Sequence, residues 1–134
     1  MWFHYTLTVP AGTTERSPIE KELNLTYGVI KYIAIPWDMS TNGLFKVRIL
    51  RFRHQIFPVN ADEPACGKGN VEGGEEHIEL LEFPFVLKAL GYAPDCAFDH
   101  DVTILINVLP LEVAEPWRAQ IMLQPRRIEW PISA

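Results

Sequence analysis

Apolar and polar residues alternate with a period of two along most of this chain. In "WFHYTLTV" Phe3, Tyr5, Leu7 and Val9 fall in one phase, and His4, Thr6 and Thr8 in the other. That pattern predicts a strand with one buried face. Pro10, Ala11 and Gly12 open a polar turn that runs to Pro18, after which "EKELNLT" alternates again through Leu23 and Leu25. Gly28 allows a reversal or bulge before "VIKYIAI", whose β-branched residues predict a further strand, stopped at Pro36. Asn42-Gly43 is the strongest short turn signal in the chain.

Two segments change phase midway. Phe45, Val47 and Ile49 share one phase and Leu50 and Phe52 take the other; in "HIELLEF" Ile78 and Leu80 give way to Leu81 and Phe83. Each flip predicts a bulge or a corner at which a strand passes from one sheet to another. Between them "NADEPACGKGNVEGGEE" is glycine-rich and polar and is expected to be the longest loop. "FVLKALGY" and "DVTILINVL" complete about eight strands, and no segment has a helical period. The expected fold is all-β: an antiparallel β-sandwich or a jelly-roll-like barrel. Leu7, Leu25, Ile33, Val47, Ile104 and Ile106 are expected to share one interior.

The character changes near Pro110. Pro110, Pro116, Pro125 and Pro131 recur at wide intervals and preclude a long helix. We therefore divide the chain into a sandwich over residues 1–109 and an extended, proline-rich C-terminal arm over residues 110–134. The arm carries Trp117, Ile121, Leu123, Ile128 and Trp130, which are costly to leave in water. The arm either wraps its own domain or lies on a neighbouring subunit; we take the second reading, with these residues as its anchors.

With 134 residues and nearly half of them apolar, the chain is expected to hold one core without a metal or disulfide. Its formal charge of −5 gives no general affinity for nucleic acid. No apolar run is long enough to span a membrane, and "MWFHYTLTVP" has no basic leader, so neither a membrane partner nor a signal peptide is expected. Cys66 and Cys96 are expected to be free thiols.

Candidate chemistry is sparse. Asp95, Asp99, His100 and Asp101 crowd together, but neighbours on a strand point to opposite faces and do not converge on an ion. Aspartates at a turn instead accept from backbone amides, so "FDHD" is expected to guide the chain into its strand. The remaining histidines, His4, His54 and His77, show no zinc-ligand spacing. "ACGKGN" fails the phosphate-loop pattern, because Asp62 stands at the first glycine position and Gly69 at the hydroxyl position. No serine lies in a nucleophile-elbow context. We expect no catalytic residue, metal or cofactor.

Two charged groups remain: Lys46, Arg48, Arg51 and Arg53 on one side, and an acidic stretch including Glu76 and Glu79 on the other. The first reading of each is a solvated strand face; a second is that they match basic edge to acidic edge between identical subunits, which would set register in a homo-oligomer.

Four stretches, "FHYTLTVPAGTTERSP", "LNLTYGVI", "HQIFPVN" and "FDHDVTILINVLP", resemble small β-proteins of tailed phages and metagenomic phage-like sequences, found among virion structural genes. The resemblance spans Phe3 to Pro110 in patches and carries no catalytic residue. It implies a non-enzymatic virion protein made in the host cytoplasm, first of all a capsid decoration (cement) protein whose partners are the major capsid protein or other virion proteins. Two other roles stand beside it: a head–tail joining or tail component, and a carbohydrate- or ligand-binding sandwich. The last would require aromatics gathered on one face, and Trp2, Trp37, Trp117 and Trp130 are widely spread in sequence.

Overall fold

The structure is a computed structural model and describes residues 1–58 and 64–115. Eight strands form: β1 (Trp2–Val9), β2 (Ile19–Asn24), β3 (Gly28–Pro36), β4 (Lys46–Arg51), β5 (His54–Phe57), β6 (Val71–Leu80), β7 (Val86–Tyr92) and β8 (His100–Leu109). They make two four-stranded antiparallel sheets, ordered β1-β8-β3-β6 and β2-β7-β4-β5. The chain thus pairs with itself as one long folded hairpin: β1 with β8, β2 with β7, β3 with β6 and β4 with β5. Rolled into two facing sheets, this is the jelly-roll connectivity.

The period-two pattern places the core between the sheets. From the first sheet Leu7, Val9, Ile33, Ile35, Ile104 and Ile106 are buried, and Leu23, Val47, Ile49, Leu87 and Ala89 meet them from the second. Five of the six expected core residues are fully enclosed; Leu25 is half-buried at the margin, and Leu23 takes the inward place on β2. Gly91 faces β1 at close range, where a Cβ would lie 2.7 Å from Leu7 Cδ2.

Three expectations require correction. The phase flip after Ile49 is not a passage between sheets. A bulge between Ile49 and Leu50 is followed by a two-residue turn at Phe52-Arg53, and the chain returns as β5 in the same sheet. The flip after Leu80 does mark such a passage, from β6 to β7. The glycine-rich segment is not all loop: Ala65 bridges to Val47, and Val71 to Glu76 already belong to β6, since Gly73 and Gly74 pair with Ala34 and Ile33. Gly73 has φ 109°, and a Cβ there would lie 2.2 Å from the Ile33 carbonyl oxygen, so glycine here brings β6 close rather than loosening it. Finally, the first residues of the expected arm form a helical turn, α1 (Leu111–Ala114), whose Leu111 is buried beside Val29. The sandwich therefore holds the chain to that point. The proposed anchors Trp117, Ile121, Leu123, Ile128 and Trp130 lie outside the described residues.

Candidate functional site

The "FDHD" segment is structural. Asp99 accepts from the Ala11 amide at 2.7 Å and Asp101 from the Thr8 hydroxyl at 2.6 Å, both tying β8 to β1 and the turn after it. His100 packs beside Phe45, with ring centroids 5.2 Å apart. The three side chains serve three different contacts and do not converge.

Of the two charged groups, only the acidic one lies along an edge strand. β4 is an inner strand, between β7 and β5, while β6 is an edge strand. Lys46 and Arg48 lie along β4, and Arg48 Nε donates to Gln55 at 2.6 Å. Arg51 and Arg53 sit where β4 turns into β5. Glu76 and Glu79 lie on β6. Cys66 and Cys96 are free thiols, exposed and buried respectively.

Antiparallel order brings the β2–β3, β4–β5 and β6–β7 connections, the start of β1 and the end of β8 to one end of the sandwich. That end is apolar at its surface. Of nine exposed large hydrophobic residues among those described, six lie there: Met1, Trp2, Tyr27, Phe52, Phe83 and Val113. Tyr27, Phe85 and Phe83 form a chain of near-perpendicular rings with centroids 5.9 and 5.8 Å apart. Arg51 holds its guanidinium 4.9 Å from the Phe52 ring centroid and donates to the Glu82 carbonyl at 3.2 Å, joining two of the connections. Phe52 is 65% exposed and has φ 57°, a left-handed conformation disfavoured for a bulky side chain. The positive φ suits the first position of a two-residue hairpin turn, but the tight turn would be met better by a small residue, and the exposed ring is not needed for it.

A second feature lies on the outer face of the first sheet. Trp2, Asn107, Tyr32 and Glu75 are opposite one another across β1, β8, β3 and β6 in a single row. The register slips beside this row. Ile30 pairs with Ile78 and Tyr32 with Glu75, so Glu76 and His77 together oppose Lys31; on the other side β8 has no residue opposite Lys31. Bulges of this kind re-aim side chains. Lys31 and Tyr32, and likewise Glu75 and Glu76, are therefore consecutive residues that line the same cleft, of about 600 Å³. Trp2 and Tyr32 stand 5.4 Å apart at 69°. Partial burial raises the Glu76 carboxyl above its ordinary pKa. Nothing in a period-two reading brings these residues together.

Beside the cleft, His77, Glu79 and Glu115 lie close enough to suggest a metal site. His77 already has polar neighbours on both ring nitrogens: Nδ1 lies 3.3 Å from Lys31 Nζ and Nε2 3.2 Å from a Glu115 carboxylate oxygen. The imidazole thereby links β3, β6 and the end of α1.

Comparisons with protein-family models, with curated proteins and with solved structures find no match to this chain.

Proposed function

We propose that this chain is a non-enzymatic structural protein of a phage particle that decorates the outside of the capsid, seated on the shell by its apolar end. The observation that carries the reading is the gathering of Tyr27, Phe52, Phe83 and their neighbours at one end of a jelly roll. Each such side chain, once covered, is worth roughly 1.5–3 kcal/mol. Several together offset the roughly 4–15 kcal/mol lost in translational and rotational freedom on association. Aromatic residues and arginine dominate the binding energy of protein interfaces, and Arg51 lies within this group. The resemblance of four stretches to phage virion sequences supplies the kind of assembly, and jelly rolls recur in viral capsid proteins.

The test is quantitative mass spectrometry of purified particles of the encoding phage, joined to re-addition of purified protein to undecorated heads. A copy number comparable with the major capsid protein is expected, together with loss of re-binding in a Phe52→Ser/Phe83→Ser variant that still melts cooperatively. A ring-sized copy number would place the protein at the head–tail junction instead. Absence from the particle would overturn the reading altogether.

A further inference from the structure

We infer that the cleft on the outer face of the first sheet is a binding site for a neutral sugar unit of a glycan. The inference does not depend on the proposed place in a particle, because it concerns the isolated protein.

The donor set selects the ligand. Trp2 is 59% exposed, so much of its ring surface is open, and Tyr32 stands nearly perpendicular to it as a second wall. An apolar ring face is the natural partner for the face of a pyranose, whose axial C–H groups form an apolar patch. Around these rings stand two carboxylates, Glu75 and Glu76, and the amide of Asn107. Asn107 Oδ1 already accepts from the Met1 amino group at 3.2 Å, which leaves its NH2 to donate. Acceptors and a donor at the margin of an aromatic platform match the hydroxyls at the margin of a sugar ring.

The alternatives fit less well. A purely apolar ligand would strip water from two carboxylates without replacing their hydrogen bonds. An anion would meet both carboxylates. A cation gains from them and from the rings, but Lys31 lines the same cleft and sets a positive charge against it. A neutral polyol with an apolar face satisfies every group present. The double slip of register is what makes this possible, by adding Lys31 and Glu76 to a row that would otherwise end at Tyr32 and Glu75.

The experiment is an amide and indole NMR titration of the full chain with malto-, cello-, xylo-, manno-, galacto- and chito-oligosaccharides, with choline as the cationic control. At least one of the sugars is expected to shift the Trp2 indole N–H and the amides of Tyr32, Glu75 and Asn107, saturably in the millimolar range or below. Trp2→Ala should weaken that binding at least about tenfold, or 1.4 kcal/mol, and Asn107→Ala several-fold, with unchanged melting temperatures. Tyr32→Phe, which keeps the ring, should retain most of it. The proposal is overturned if none of the six sugars shifts the cleft, if the shifts fall elsewhere, or if choline alone occupies it.

Discussion

The two ends of the sandwich are built on different principles. At the end that carries the β1–β2, β3–β4, β5–β6 and β7–β8 connections, the loops bond to one another. Gly12 donates to the Ala93 carbonyl and Ala93 to that of Thr13; Gly43 donates to the Gly67 carbonyl; the Thr41 hydroxyl, fully buried, lies within 2.8 Å of the carbonyls of both Asp38 and Gly67. Asp38 caps the short 3-10 turn Met39–Thr41 by accepting from the Ser40 amide. At the other end the connections are shorter and touch mainly through rings that face water. One end satisfies its own polar groups. The other holds most of the exposed large hydrophobic residues among those described. That contrast is what the proposed seating on a shell rests on.

Phe45→Ala tests the first end most severely. Its ring is fully buried at the start of β4, against His100 and Phe98. Its loss should cost about 3–5 kcal/mol in urea denaturation. A small loss would mean that the self-bonded end is less integral to the fold than its contacts imply. Thr41→Val should come next, at about 1–3 kcal/mol, because it removes the fully buried hydroxyl that joins the Asp38 and Gly67 carbonyls and leaves them only their backbone donors. A neutral result would show that those backbone bonds suffice to hold the loops together.

Asp38→Ala should have a smaller effect, and one that depends on pH. The Ser40 amide, first among several causes, holds the Asp38 carboxyl below its ordinary pKa. A depressed folded pKa means that the unfolded chain takes up a proton first. The stabilisation is therefore complete above the ordinary carboxylate range and fades as pH falls through the lowered folded value. Melting curves of the wild type and of Asp38→Ala should converge in strong acid; a constant separation would rule out the carboxylate as the cause.

The smallest effect on stability is expected at the apolar end. Phe52→Asn removes an exposed ring and places at φ 57° a residue that tolerates that conformation. Stability should change by no more than about 0.5 kcal/mol, as for other surface substitutions, and in the favourable direction, while the proposed capsid attachment should weaken. A loss comparable with that of Thr41→Val would mean that the ring serves the fold, and the contrast between the ends would fail.

Alternation made the strands legible in sequence, since it is the direct trace of one face inside and one outside. β8 shows this best: Val102, Ile104, Ile106 and Val108 are all buried, as their phase predicts. The two phase flips look alike in sequence, yet one is a hairpin within a sheet and the other a passage between sheets. The difference lies in which strands pair, and that is not a local property. The "GG" of β6 looks like loop in sequence because the close approach of the Ile33 carbonyl, which requires glycine at Gly73, comes from a distant strand. The cleft was invisible for a related reason. Consecutive residues are assigned to opposite faces by a period of two, and only the slipped register puts Lys31 with Tyr32 and Glu75 with Glu76. Trp2 lies far in sequence from the other tryptophans, whereas its partner on the surface is a tyrosine.

The nested pairing of strands has a consequence for the order of events during folding. Its innermost rung, β4 with β5, closes over two residues, whereas the outermost sets Trp2 beside Asn107. Closing a loop that long from an open chain is entropically unfavourable, and far less so once the inner rungs have drawn β1 and β8 together. The chain should therefore zip from its middle towards its termini. Conservative truncations near the β4–β5 turn, such as Ile49→Val, should slow folding, and those on β1, such as Val9→Ala, should chiefly speed unfolding; equal kinetic weight at both sites would show that the rungs form in no fixed order.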